Sequence, residues 1–202
     1  GWNVSLQSSL KNLYWNVPSV STRYGATVNY QGNKISASAS YTDGNFYWRM
    51  KGYEYSSGNN SFWNTDSYFF NNLRNKSTDW KLEYKLSDKS TIGGSYTYFF
   101  ANPLETVKNS SSIKDESGER RFTSDAVALN HRNNHYATLF YDLKIDSLGS
   151  KLSISGNLIS NNANADDFYN TQTDQLVSTY INPINQYRIY SGQVDLEKNF
   201  KK

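Results

Sequence analysis

The sequence NHYATLFYDLKIDSLGSKLSISGNLIS, residues Asn134–Ser160, decides the fold class of this chain. Apolar residues recur at every second position of its first arm, 137–145, and of its second arm, 152–158. Period-two alternation predicts β-strands whose two faces meet different surroundings. Between the arms, Asp146–Ser150 supplies a short turn that contains a glycine. Each arm has roughly ten residues, which is the length of a tilted strand that crosses a bilayer.

The same hairpin unit recurs along the chain. Alternating strands flank short turns at 31–33 and 87–89, and a last strand is predicted over 186–198. Gly, Ser, Asn and aromatic residues are frequent in four longer connections, where we expect loops: 11–21, 42–75, 102–133 and 161–185. The alternatives are that the strand before 42 continues through 46–50, and that 122–129 forms a further strand. In an antiparallel meander, all short turns then lie at one end and all long loops at the other, as in bacterial outer-membrane barrels. The prediction is an all-β, antiparallel up-and-down meander β-barrel with about eight principal strands.

Composition limits the class of protein. The 202 residues include 17 Tyr, 10 Phe and 5 Trp, and this aromatic content favours a folded β structure although the mean hydropathy is −0.76. No apolar run is long enough for a transmembrane helix. Cysteine is absent, which excludes disulfides and thiolate metal sites. The net charge of +3 and the dispersed Lys and Arg residues indicate no nucleic-acid partner.

Three stretches resemble a known family. YDLKIDSLGSKLSISGNLIS, 141–160, is similar to a recurrent phrase in the barrels of TonB-dependent receptor-like outer-membrane proteins of the Bacteroides group, where a strand ends in an acidic residue before an SLG-type turn. IYSGQVDLEKNFKK, 189–202, resembles the family's strand that closes on a basic periplasmic turn. GWNVSLQSSL, 1–10, resembles the first barrel strand.

This resemblance implies a location in the bacterial cell outer membrane and a parent protein that imports or binds a nutrient at the cell surface. It implies that residues 1–202 form a single β-barrel domain, an N-terminal segment of a barrel of about 22 strands that is plugged in the full protein. We expect the plug domain and the TonB-contacting segment to lie outside residues 1–202. The expected partners are outer-membrane lipid and the remaining barrel strands of the parent.

No catalytic, cofactor or metal site is predicted, and the chain is not expected to be an enzyme. His131 and His135 are four apart, but on a strand that spacing separates them by about 13 Å. The acidic and basic residues of 114–121 are predicted to form a solvated charge cluster rather than an acid–base pair. No phosphate-binding, dinucleotide-binding or nucleophile-elbow motif is present in the sequence.

Aromatic residues of the second long connection are the candidate ligand-binding residues: Trp63, Tyr68, Phe69 and Phe70. Exposed aromatic rings stack on sugars or anchor partner proteins. The alternative is that these rings cover the hairpin ends or belong to the aromatic girdle at a membrane interface.

Two other functions fit the same alternation. One is a soluble, lipocalin-like β-barrel that closes as an eight-stranded monomer around a small apolar ligand. The other is a cell-surface adhesin or glycan-binding sheet, which Trp63→Ala would impair. If the chain is a segment of a larger barrel, its two edge strands are unpaired, and we expect edge-to-edge homo-oligomers of the isolated chain.

Overall fold

The chain folds as one antiparallel β-sheet in which sequential strands are neighbours. The computed structural model describes residues 1–15, 17–58, 60–173 and 175–200, and of 12–19 only the backbone. Nine strands are present among them: β1 (Trp2–Trp15), β2 (Val17–Gln31), β3 (Ile35–Gly58), β4 (Ser61–Lys85), β5 (Ser90–Asp115), β6 (Gly118–Lys144), β7 (Lys151–Gln172), β8 (Leu176–Ile181) and β9 (Ile184–Glu197). The predicted all-β up-and-down meander is confirmed. None of the described residues belongs to a helix that could cross a membrane.

The hairpin that decides the fold class is formed by β6 and β7. Leu143 pairs with Leu152, and the pairing continues to Thr123 and Gln172 at the far end. Asp146 closes the turn, because its Oδ1 accepts hydrogen bonds from the backbone N–H groups of Leu148 and Ser150, both at 3.0 Å. Gly149 has φ of +93°, which is the left-handed conformation that glycine adopts most readily.

The prediction of long loops is wrong for most of these residues, because they belong to strands. β3 and β4 pair without interruption from Ile35 and Tyr84 to Gly58 and Ser61, and β5 and β6 extend to Asp115 and Gly118. Local composition indicated loops, since Gly, Ser and Asn are turn residues. Most of these residues instead have a ladder partner on a neighbouring strand. Asn16, Asn59, Asp174, Lys201 and Lys202 lie outside the described residues.

The eighth principal strand is divided into β8 and β9 at Pro183. Asp167 pairs with Ile181 and Asn164 with Ile184, so both halves keep one register along β7. Proline has no N–H to donate to a ladder, and the pairing stops there for two residues. The prediction of about eight principal strands therefore agrees with nine assigned strands.

Successive short turns lie progressively lower along the sheet. Ala37, Leu82, Gly94 and Leu139 are paired in one row across β3–β6. From this row the chain descends about four residues to the β2–β3 turn, about six to the β4–β5 turn and about eight or nine to the β6–β7 turn. Successive short turns are thus displaced along the strands by roughly 8 Å for every two strands, which span about 9.6 Å of sheet width. If all short turns lie at one level, the strands tilt by about 40° from the normal to that level.

The sheet has no globular core. The only hydrophobic residues buried among those described are Ala101 and Ala165. The solvent-accessible surface is 14504 Å², whereas a compact monomer of 23.1 kDa exposes about 9,700 Å². No pairing joins β1 to β8 or β9 within the described residues. Among the described residues, the sheet is therefore open and does not enclose the apolar interior that a lipocalin-like protein requires.

Candidate functional site

The pairing register assigns the residues of the sheet to two faces, since directly opposite residues share a face. Face A carries Leu82 and Leu139, and face B carries Ser95 and Thr138. The row of paired residues Tyr41, Thr78, Tyr98 and His135 divides the sheet into two parts. We call the part next to the short turns the basal half, and the part beyond this row the distal half.

Face A of the basal half carries a continuous apolar band. Within the described residues, its rows from Tyr84 up to Trp80 contain no charged side chain. Large side chains of the band are exposed, including Leu139 at 72%, Val194 at 67% and Trp80 at 57%. The apolar band comprises Trp2, Val4, Val28, Tyr30, Ile35, Ala37, Ala39, Trp80, Leu82, Tyr84, Ile92, Tyr96, Ala137, Leu139, Tyr141, Leu152, Ile154, Leu158, Tyr190 and Val194.

Polar groups begin at the distal margin of the apolar band. The hydroxyl of Tyr96 is 2.8 Å from His135 Nδ1, and the hydroxyl of Tyr98 donates to Asn133 Oδ1 at 2.9 Å. The amphipathic tyrosine ring suits a boundary between an apolar and an aqueous medium.

Charged side chains follow one row beyond this margin, on the same face A. Asp43 lies 3.6 Å from Arg74 and 3.7 Å from Lys76. The change from apolar to charged side chains thus occurs over only a few residues of each strand.

Face B of the basal half is hydrophilic. Asp79 accepts hydrogen bonds from Thr97 at 2.8 Å and Ser40 at 3.2 Å. Thr138 donates to Asn157 at 2.9 Å. These side chains satisfy one another across neighbouring strands, as expected for a face in contact with water.

The distal half reverses this polarity, because its face B is rich in large apolar side chains. Phe46 and Leu73 are paired neighbours, and Met50 and Phe69 are another pair further along β3 and β4. Gly52 leaves room beside Phe69, since an added Cβ would lie 3.5 Å from the Phe69 ring. The full apolar set on distal face B includes Phe46, Trp48, Met50, Trp63, Phe69, Leu73, Phe99, Val107, Ile113 and Phe122.

The four predicted ligand-binding aromatics lie on β4 rather than in a loop, and the sheet divides them. Trp63 and Phe69 lie on face B, whereas Tyr68 and Phe70 lie on face A. Successive residues of a strand point to opposite faces, so Tyr68, Phe69 and Phe70 cannot contact one ligand on one side of the sheet. Their role in ligand binding stays a prediction for each pair separately.

Each pair has specific neighbours. Trp63 packs edge-on against Phe122, with ring centroids 5.5 Å apart, and its indole N–H donates to Thr65 at 2.7 Å. On the other face, Phe70 packs edge-on against Tyr47 at 4.9 Å. The Arg49 guanidinium lies over both of those rings, 5.0 Å from the Tyr47 centroid and 5.8 Å from the Phe70 centroid.

A small cavity on face B was not foreseen from the sequence. It has a volume of 260 Å³ and lies at the start of the distal half, between Arg23, Gly44, Phe46, Asn75 and Phe99. An added Cβ on Gly44 would meet Asn75 Oδ1 at 2.7 Å, so a larger residue there would displace the Asn75 side chain. Nothing in the local sequence connects Arg23 to Phe99, because strands 76 residues apart in sequence form this site.

Two other polar groups on distal face B lack partners. Asn71 Oδ1 and Asp167 Oδ1 are buried without a hydrogen bond among the described residues. The Nδ2 group of Asn71 donates to Glu105 at 3.1 Å. Buried acceptors without donors are costly, so these two oxygens lower the stability of the distal half.

The charge cluster predicted over 114–121 lies at the tip of the β5–β6 hairpin. Arg120 pairs with Asp115 at 2.8 Å and Arg121 with Glu119 at 2.9 Å. Hydrogen bonds from Ser117, together with the Arg120 guanidinium, lower the pKa of Asp115. The hydrogen bond to Glu119 raises the pKa of Arg121. The described residues contain no cluster of metal-ligating side chains.

A second ionic contact joins the β6–β7 turn to the end of β9. Lys198 Nζ lies 3.1 Å from Asp146 Oδ2, and the backbone N–H of Asn199 donates to the hydroxyl of the fully buried Ser150 at 3.0 Å. Hydrogen bonds from the side chain and backbone of Ser150, and then from Lys198, lower the pKa of Asp146 to about 2. The turn that carries the family-like phrase is thus held to its neighbouring strand.

Comparison with known proteins establishes no family. No protein-family model and no curated protein matches the chain. Among solved structures, the siderophore receptor PiuA from Acinetobacter baumannii is 8% identical, with a TM-score of 0.19 over 97% of this chain, which spans 45% of that receptor. A Rh. blastica porin mutant is 7% identical over 94% of this chain and 100% of the porin, with a TM-score of 0.16. Pseudomonas aeruginosa OccK8 (OprE) is 7% identical over 96% of this chain and 98% of its own, with a TM-score of 0.12. These scores are too low to support a functional inference, so function is inferred below from this chain's own geometry.

Proposed function

We propose that this chain is a segment of an outer-membrane β-barrel, with the apolar band against lipid and basal face B toward the barrel interior. The observation that carries the proposal is the charge-free, exposed apolar band on strands that tilt by about 40°. Strands of membrane barrels tilt by about 35–45° and carry an apolar band flanked by aromatic girdles. Tyr84 and Tyr141 lie at one margin of the band, and Tyr24, Tyr41 and Tyr98 at the other.

The two edges of the sheet support a larger closed assembly. β1 and β9 both carry apolar-band residues, and on their outer side neither is paired with another strand of the described residues. Unpaired N–H and C=O groups are not tolerated in hydrocarbon, so each edge must pair with another strand in the membrane. We propose that these strands belong to the same parent protein, and that the isolated chain pairs edge to edge with a second copy.

For the parent, we propose a non-enzymatic role in surface binding or uptake of a nutrient, as in TonB-dependent receptor-like proteins. Supporting features are the phrase at 141–160, the cavity beside Arg23, and the apolar side chains of distal face B. Trp63 and Phe69 are the predicted ligand-contacting aromatics on this inner side.

The test of the membrane topology is a cysteine scan of β6 in the full-length protein, reconstituted in lipid vesicles. This chain has no native cysteine, so within it a spin label on each substituted position reports from one site. Labels on face A at Ala137, Leu139 and Tyr141 are expected to collide with dissolved oxygen. Labels on face B at Thr138 and Asp142 are expected to collide with a water-soluble nickel chelate.

Distal positions of the same strand provide the matched control. Labels at Asp125 and Val127, which also lie on face A, are expected to be accessible to the nickel chelate. Nickel accessibility throughout 137–141, with no alternation between the two faces, would refute the proposed topology.

A further inference from the structure

A groove on face A of the distal half has the composition of a carbohydrate site. It has a volume of 470 Å³ and crosses β3–β6. Lys51, Tyr68, Lys108 and Asp125 form one row of paired residues, and Tyr53 and Asp66 are paired in the next row. The groove therefore combines two phenol rings with two ammonium and two carboxylate groups on one rigid surface.

The charged groups of the groove are not engaged with one another. Lys108 and Asp125 are directly opposite on β5 and β6, yet no ion pair among the described residues includes either, or Lys51 or Asp66. Their donors and acceptors are open to a ligand. Carboxylates accept and ammonium groups donate hydrogen bonds, which matches the hydroxyl groups of a sugar, and tyrosine rings stack on its apolar face.

The groove faces sideways relative to the proposed barrel. Lys51 lies ten residues beyond Tyr41 on β3, so the two share face A, the face that meets lipid in the basal half. At the tilt derived above, ten residues place the groove about 25 Å beyond the margin of the apolar band. A surface in this position contacts neither the barrel interior nor the hydrocarbon. What surrounds a barrel laterally at this height is the sugar layer attached to neighbouring lipids.

We propose that this groove binds the polysaccharide portion of the surrounding outer-leaflet glycolipid, an inference that rests on the proposed membrane topology. The balance of two positive and two negative groups favours a neutral or zwitterionic sugar chain over a strongly anionic one. Lipid phosphates are excluded as the occupant, since they lie at the membrane surface, near Arg74 and Lys76, rather than in the groove.

The test measures the binding of polysaccharide to the full-length protein in detergent micelles. The polysaccharide is released by mild acid hydrolysis from the glycolipid of the cells that produce the protein. Calorimetric titration of the native protein is expected to show saturable binding. Tyr68→Ala is expected to weaken it by tenfold or more, and Asp66→Asn, which keeps the side-chain volume, by several-fold. Ser124→Ala, next to Asp125 in sequence but on face B, is the matched control and is expected to leave this binding unchanged.

Several outcomes would overturn the proposal. They are no binding by the native protein, equal loss in Ser124→Ala, and binding only of externally supplied malto- or xylo-oligosaccharides. If Tyr68→Ala does not fold, as judged by the loss of heat-modifiable migration in gel electrophoresis, the polysaccharide affinity of Asp66→Asn is the test of the proposal. The spin labels at positions 137–142 of β6 lie outside the groove. If those labels show the expected oxygen accessibility while binding fails, the groove proposal is overturned and the membrane topology stands.

Discussion

The basal and distal halves of the β5–β6 hairpin use the same two strands but have opposite polarity on the same faces. In the basal half, face A carries Ile92 and Leu139, and face B carries Thr97. In the distal half, face A carries Lys108 and Asp125, and face B is mostly apolar. Period-two alternation continues through both halves, so it identifies the strand but does not identify the medium that each face meets. That medium changes along the length of one strand.

The largest effect is expected from a charge in the apolar band. Leu139→Arg places a guanidinium near the middle of the band, and in a membrane barrel this costs about 2–4 kcal/mol of unfolding free energy. Val127→Arg, on the same face of the same strand in the distal half, is expected to change stability by less than about 1 kcal/mol. Urea unfolding in vesicles measures both. Equal effects of the two substitutions would remove the distinction between the halves.

A glycine in each half provides the second comparison. A Cβ on Gly93 would lie 2.5 Å from Phe140 Cζ and 2.8 Å from the Leu82 carbonyl oxygen, and the backbone atom cannot move away easily. Gly93→Ala is therefore expected to destabilise the protein by about 1–3 kcal/mol. Gly52→Ala meets Phe69 only at 3.5 Å and is expected to be nearly neutral. The same unfolding assay applies, and a neutral Gly93→Ala would contradict the close packing on basal face B.

The third prediction concerns the aromatic pair on distal face B. Trp63 and Phe122 lie across β5 from each other in an edge-on arrangement. A double-mutant cycle with alanine at both positions is expected to give a coupling energy of about 0.5–1.5 kcal/mol. A cycle of Phe122 with Tyr68, which lies on face A, is expected to give no coupling. Coupling of Phe122 to Tyr68 would mean that the face assignment of the distal half is wrong.

The smallest effect is expected from pH. Asp146 in the basal turn has a pKa of about 2 when folded, below the usual value of about 3.9. This carboxylate therefore stabilises the fold above about pH 4, and the stabilisation is lost as the pH falls toward 2. Asp115 at the distal tip is shifted in the same direction.

Asp146→Asn and Asp115→Asn are each expected to flatten the decline in unfolding free energy between pH 5 and pH 2, which urea titrations at several pH values measure. The flattening should be larger for Asp146→Asn, because the pKa of Asp146 is lowered strongly, to about 2, by Ser150 and Lys198. An unchanged pH profile in Asp146→Asn would contradict the turn geometry.

The sequence alone was sufficient to predict the strands of the basal half and their short turns. Alternation over 137–145 and 152–158, and a glycine between them, are local signals, and the structure places the β6–β7 hairpin there. The absence of charge on one face of these strands could also be read from the sequence, since register follows from the turn.

The strands of the distal half and the faces of its residues are known only from the tertiary structure. The residues of 42–58, 61–75, 102–115 and 118–133 form strands because each has a ladder partner on a neighbouring strand, and such nonlocal hydrogen bonds leave no mark in local composition. For the same reason, the sequence grouped Trp63, Tyr68, Phe69 and Phe70 into one site, whereas the pleat of β4 separates them onto two faces. The groove around Tyr68 joins four strands that are distant in sequence, and pairing alone brings them together.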